Sequence, residues 1–160
     1  MDQTRRVAVA LGSNVGDRLA AIAFAAERLT PILSDLRVSD IVETEPEGEG
    51  FGTQPLFLNA VIVGRSDLGA RALLDALRGI EADFGRERFY PGAPRTLDLD
   101  LVLVGDEIIE EPGLHVPHPR FRNRFFVLGP MAGIAADLRD PVTGLTVGEL
   151  LRSLLRDEER

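Results

Sequence analysis

An apolar, β-branched run from Val7 to Ser13 stops at Gly12-Ser13-Asn14, and Gly16-Asp17 then opens a helical pattern. Leu19, Ile22, Ala23, Ala26 and Leu29 recur at helical spacing and are expected to form its buried face. Pro31 and Ser34-Asp35 interrupt, after which Leu36 to Thr44 alternates as one strand. Residues Glu45 to Gly52 include Pro46 and three glycines, which propagate neither period, so this segment reads as loop. Leu56 to Val63 is a further strand, and Leu73, Leu74, Leu77 and Ile80 mark a helix from Gly69 to Phe84 that Gly85 should end. A loop from Arg86 to Arg95, with Pro91, Gly92 and Pro94, is expected to be mobile and leads into Thr96 to Val104, the strongest strand signal in the chain. The Gly105-Asp106 turn would bring Ile108-Ile109 back beside that strand. A loop from Glu111 to His118 follows, then an apolar helix from Phe125 to Ala136, bent or started near Pro130, and a last helix from Val147 to Asp157. Thr146 and Glu149 have capping-box spacing in front of it.

The order strand, helix, strand, loop, strand, helix, strand, without repeat or linker, predicts a single domain over residues 1–160. Its class is α+β, a mostly antiparallel sheet with helices packed on it, of ferredoxin-like type.

Composition narrows the chemistry. The chain has no cysteine, which removes thiolate nucleophiles, Cys-ligated zinc and iron–sulfur clusters. All 18 basic residues are arginine, so Schiff-base enzymes, Walker-type loops and protein kinases, each built on a lysine amine, fall together. A net charge of −8 argues against a nucleic-acid or anionic-membrane partner. No apolar run approaches the roughly 18–20 residues of a membrane span, and the N-terminus is no signal peptide; the expectation is a cytoplasmic monomer. Against this acidic background, Arg120, Arg122 and Arg124 form an acid-free cluster, and Arg78, Arg86, Arg88 and Arg95 gather before the strongest strand. Two such patches suggest a confined anionic ligand.

The segment PRTLDLDLVLV is the most informative. Strand alternation sends Leu97, Leu99, Leu101 and Leu103 one way and Asp98 and Asp100 the other, with about 6.5–7 Å between the two aspartate Cα atoms. Like charges so close repel, and aspartate is a poor strand former. One resolution is that both simply face water. The other is a divalent cation bridging these carboxylates to phosphate oxygens, the coordination that magnesium favours, with Arg95 nearby as a fork for either those acids or a phosphate between them.

The segments ALGSNVGDR, QPLFLNAVI, PGAPRTLDLDLVL and VPHPRFRNRFFVLGPM, in this order from about Val7 to Leu150, resemble the 6-hydroxymethyl-7,8-dihydropterin pyrophosphokinase family of folate biosynthesis. The resemblance implies a ferredoxin-like α/β sandwich that moves the terminal pyrophosphoryl unit of ATP to the pterin's hydroxymethyl oxygen and releases AMP. It implies that Asp98 and Asp100 hold two Mg2+ ions, and that Arg86 and Arg95 act with them in catalysis. For ATP it implies Glu81, Arg88, Arg95, Leu101, His115, His118 and Arg124, the adenine being met chiefly by backbone near Leu101 and His115. For the pterin it implies the Asn59 amide, stacking by Phe57 and Phe126, and backbone groups at Thr44 and the following loop. Many members carry a tryptophan before the G-P-R segment; this chain has Gly92-Ala93-Pro94-Arg95 and no Trp. Two other classes fit less well. A noncatalytic binding module on the same scaffold leaves the aspartate pair unexplained, and an RNA-binding sheet needs basic, aromatic strands where this chain has LDLDLVLV.

Overall fold

The computed structural model describes residues 3–14, 16–45, 56–86 and 97–158. Strands β1 (Arg5–Ser13), β2 (Ser34–Val38), β3 (Val42–Thr44), β4 (Phe57–Ser66) and β5 (Asp98–Val104) form one sheet in the order β2-β4-β1-β5, with β3 also on β4. Every pairing is antiparallel. Helices α1 (Arg18–Leu29) and α2 (Ala70–Arg86) are the two crossovers, giving the expected ferredoxin-like arrangement. Both pack on one face, over a core that includes Val7, Val9, Leu11, Ile62, Leu77, Ile80 and Leu99. A 3-10 turn (Phe121–Asn123) and helices α3 (Phe125–Ala135) and α4 (Val147–Glu158) cover part of the other face, where Phe121, Leu128 and Met131 pack over Ala8, Val61, Val63, Val102 and Leu103. Among the described residues no helix is long and apolar enough to cross a membrane.

Several local expectations are corrected. The buried face of α1 is Ala21, Ile22, Ala25 and Leu29, while Leu19 and Ala23 are exposed, so the apolar stripe is rotated toward the sheet. Asp17 caps that helix, accepting from the Ala20 N–H at 3.0 Å. The expected strand Leu36 to Thr44 is split into β2 and β3, and Ser34 and Asp35 belong to β2 rather than interrupting it. Ser39 makes the split: its N–H donates to the Val61 carbonyl, and its Oγ, rather than a backbone carbonyl, accepts from the Val61 N–H at 2.8 Å. Gly85 lies inside α2, which runs on to Arg86.

On β5 the register slips so that Val9 faces Leu101 and Ala8 faces Leu103, leaving Val102 as an extra residue. Leu99 and Leu101 therefore join the α1/α2 core, while Leu103 turns to the α3 side with Val102. Ile108 is exposed, and Ile109 does not pair with β5; β6 (Ile109–Glu111) pairs with β7 (Leu114–Val116) in a separate hairpin, occupying much of the expected loop. The Thr146–Glu149 capping box forms reciprocally, at 3.0 and 3.1 Å.

Candidate active site

Antiparallel pairing of β1 with its two neighbours assembles the site. Gly12 lies opposite both Asn59 on β4 and Asp98 on β5, and Ala10 lies opposite Asp100. These positions share the sheet face that α3 covers farther along, but here the residues are small or polar. A cavity of about 280 Å³ opens there, lined among others by Gly12, Thr44, Phe57, Asn59, Asp98, Asp100, Arg124 and Phe126. The two aspartates thus stand on one face of β5, as alternation predicts, Asp98 exposed and Asp100 half-buried.

The Asn59 side chain is fixed across strands. Its Nδ2 donates to Thr44 Oγ1 at 2.7 Å, a contact set by the β3–β4 register that places Val42 opposite Asn59. Its Oδ1 is turned toward Gly12, where a methyl group would sit 3.5 Å from it and 3.7 Å from the Phe57 ring. An acceptor, a flat ring and open space thus adjoin one another. Across the cavity the Arg124 guanidinium carbon lies 5.5 Å from the centre of the Phe126 ring.

A second cavity, about 190 Å³, lies on the other side of Asp100 and is lined by Leu101, Leu114, His115, His118 and Pro119 together with Arg78 and Asp100. Arg78 and Asp100 line both cavities. The His118 N–H donates to the Val102 carbonyl at 2.9 Å, tying His118 to β5 at its bulge. Its Nδ1 accepts from the Arg120 N–H at 3.1 Å, so the neutral ring carries its proton on Nε2 and remains a donor. Burial holds the His118 pKa below its ordinary value; Asp100 opposes this, and Arg124, Arg120 and His115 reinforce it. His115 pairs through Nδ1 with Glu110 at 2.7 Å across the β6–β7 hairpin.

Glu81 is not a surface charge. Its side chain is 5% exposed, lines the larger cavity, accepts from the Leu99 N–H at 2.8 Å and pairs with Arg78 at 3.0 Å. Of the two arginine patches, Arg122 turns away to grip the fully buried Asp140 through two bonds of 2.6 and 2.9 Å. It therefore serves the fold, and only Arg124 of that run lines the larger cavity. Arg88 and Arg95, and the loop expected to be mobile, lie outside the described residues apart from the helical Arg86, as do Glu47 and Glu49. Arg78 is read from the sequence only as a member of the second arginine patch and not as a named site residue; the structure pairs it with buried Glu81 and sets it on both cavities.

Residues 8–136 match the family model described as 7,8-dihydro-6-hydroxymethylpterin-pyrophosphokinase. The chain belongs to this family. A Pseudomonas aeruginosa relative named 2-amino-4-hydroxy-6-hydroxymethyldihydropteridine pyrophosphokinase is 42% identical over 150 residues, covering 92% of this chain and 90% of that protein. The folic acid synthesis protein fol1 of Pneumocystis carinii is 37% identical over 93% of this chain, which spans only 20% of that longer protein. The crystal structure of wild-type Plasmodium falciparum HPPK-DHPS superposes with a TM-score of 0.76 at 12% identity, over 96% of this chain and 45% of that one, a likeness of fold.

Proposed function

We propose that the two adjoining cavities are the substrate compartments of a pyrophosphokinase, the larger for the pterin and the smaller for the nucleotide. The chain transfers pyrophosphate from ATP to the hydroxymethyl group of 6-hydroxymethyl-7,8-dihydropterin, releasing AMP, in folate biosynthesis. The observation that carries the assignment of compartments is that Asp100 and Arg78 line both cavities, so two bound molecules would meet beside them.

In the larger cavity the Asn59 carbonyl accepts from the pterin's amino edge while Thr44 Oγ1 holds the amide in place. Phe57 and Phe126 cover the flat ring system. In the smaller cavity Leu101 and the β6–β7 hairpin meet the adenine and His118 Nε2 donates to phosphate oxygens, which Arg124 meets from the side of the larger cavity. The pterin hydroxymethyl oxygen bonds to the β-phosphorus in line and releases its proton to solvent, the bond from the β-phosphorus to the α,β-bridging oxygen breaks, and its electron pair leaves on that oxygen with AMP. No covalent enzyme intermediate is needed; catalysis is positioning and charge neutralisation.

The donor set suits Mg2+. Asp98 and Asp100 offer hard carboxylate oxygens to one cavity, and no group of three or more metal-ligating side chains occurs among the described residues. Magnesium takes one or two carboxylates and completes its shell with phosphates and water. When bound, two such ions would neutralise charge on the triphosphate. Arg86, Arg88 and Arg95 would act on the same phosphates, and the protein would work as a cytoplasmic monomer.

The deciding experiment mixes the protein with Mg-ATP and 6-hydroxymethyl-7,8-dihydropterin and separates the nucleotides. AMP is expected in equimolar amount with the pterin diphosphate; ADP or free phosphate in its place would overturn the reaction.

A further inference from the structure

We propose that Glu81 is a positioning residue that aims Asp98 and Asp100 by holding the backbone between them; this rests on the pyrophosphokinase reading above. Among the described residues β5 is an edge strand, paired only with β1. Alternate N–H groups of such a strand point away from the sheet, where nothing in the ladder restrains them. Leu99 stands between the two aspartates, and its N–H is taken by the Glu81 carboxylate reaching across from α2 at 2.8 Å.

The Leu99 side chain is fully buried in the α1/α2 core, so this residue is fixed both through its side chain and through its N–H. Rotation of the strand about its own axis would swing both carboxylates together, and the Glu81 bond opposes that rotation. A buried carboxylate needs compensation. Arg78 supplies it at 3.0 Å, and its own side chain is 56% exposed, so the counter-charge sits on the solvent side. Both Glu81 oxygens are thus engaged within the protein, and its influence on the phosphates would pass through β5.

Two conservative variants separate reach from charge. Glu81→Gln keeps an oxygen at the same distance from the Leu99 N–H; Glu81→Asp keeps the charge but withdraws the acceptor by one methylene. In nucleotide-free protein, Leu99 amide exchange is expected to be at least about tenfold faster in Glu81→Asp and within about threefold of wild type in Glu81→Gln. In the AMP assay, kcat should fall at least about tenfold in Glu81→Asp, with a higher magnesium concentration at half-maximal rate, while Glu81→Gln stays within about threefold. The pterin KM should change less than about twofold in either, because Asn59 and Thr44 do not depend on Glu81. The reverse ranking, equal impairment of both variants, or fast Leu99 exchange with wild-type kcat would each overturn the proposal. Failure of wild type to form AMP would instead sink the reaction, and the exchange measurement would still judge the Leu99 restraint.

Discussion

The α3-covered face of the sheet has two ends made from the same strands, one packed and one open. At the packed end β1, β4 and β5 present Ala8, Val61, Val63, Val102 and Leu103 to Phe121, Leu128 and Met131, all essentially buried. At the open end they present Ala10, Gly12, Asn59, Asp98 and Asp100, and a cavity takes the place of a helix. Apolar strand positions recruit a covering element because burial is favourable at roughly 25 cal/mol per Å². Adjacent carboxylates repel one, because an apolar cover would strip their water without supplying partners. The site exists because the covering layer stops where the strands turn polar.

Variants at the two ends should fail in opposite ways. Asp98→Asn or Asp100→Asn at the open end is expected to cut AMP formation by roughly 10²–10³-fold, with the melting temperature unchanged or raised as the like-charge pair is relieved. The loss should far exceed that of Arg88→Ala, and wild-type turnover in the Asn variants would refute the metal role. Beside the packed end, Asp140→Ala removes the partner of Arg122 and should destabilise the fold by about 3–5 kcal/mol in urea titrations while leaving kcat of the folded enzyme unchanged.

Acid should reveal the same pair. Burial pushes the Asp140 carboxyl up, but hydrogen bonds from Arg122, Thr143 and the Val142 N–H outweigh it, and the net shift is downward. Its contribution is therefore complete above the ordinary aspartate pKa and is lost as pH falls through the lowered folded value. The acid limb of a stability-against-pH curve should flatten in Asp140→Ala.

A smaller change sharpens the contrast by filling the open end. Gly12→Ala adds a methyl at ordinary contact distance from Asn59 and Phe57, so the fold should be intact. The methyl occupies the space assigned to the pterin, and its KM should rise roughly tenfold. The smallest effect concerns His118, whose free-enzyme pKa, followed by NMR, should lie below the ordinary histidine value and rise when nucleotide triphosphate binds. Because the folded ring resists protonation, stability should decline as pH falls from about 6.5 toward the lowered folded value, the interval in which only the unfolded chain binds the proton.

Legibility differed between elements and their details. The period of two exposed the Asp98–Asp100 pair because a strand ties neighbouring carboxylates to one face whatever surrounds it. The same period failed at Leu103, where a bulge supplied by pairing with β1 turned the leucine to the other face. It also failed at Ser39, whose hydroxyl replaces a backbone acceptor only because Val61 lies opposite. The Arg120 to Arg124 run looked uniform, yet Arg122 answers to Asp140, which is 18 residues away in the chain.

Local order, then, was written in short-range periodicity: the succession of strands and helices, the paired aspartates and the capping box each depend on residues within a few positions of one another. Assembly across the chain decided the rest. Which arginine would be used for folding, how Thr44 meets Asn59, and why Glu81 is buried against β5 are set by strand register and helix packing, which join residues 15 to 18 positions apart. Such contacts follow from what the whole sheet can bury at once, and no local pattern encodes that sum.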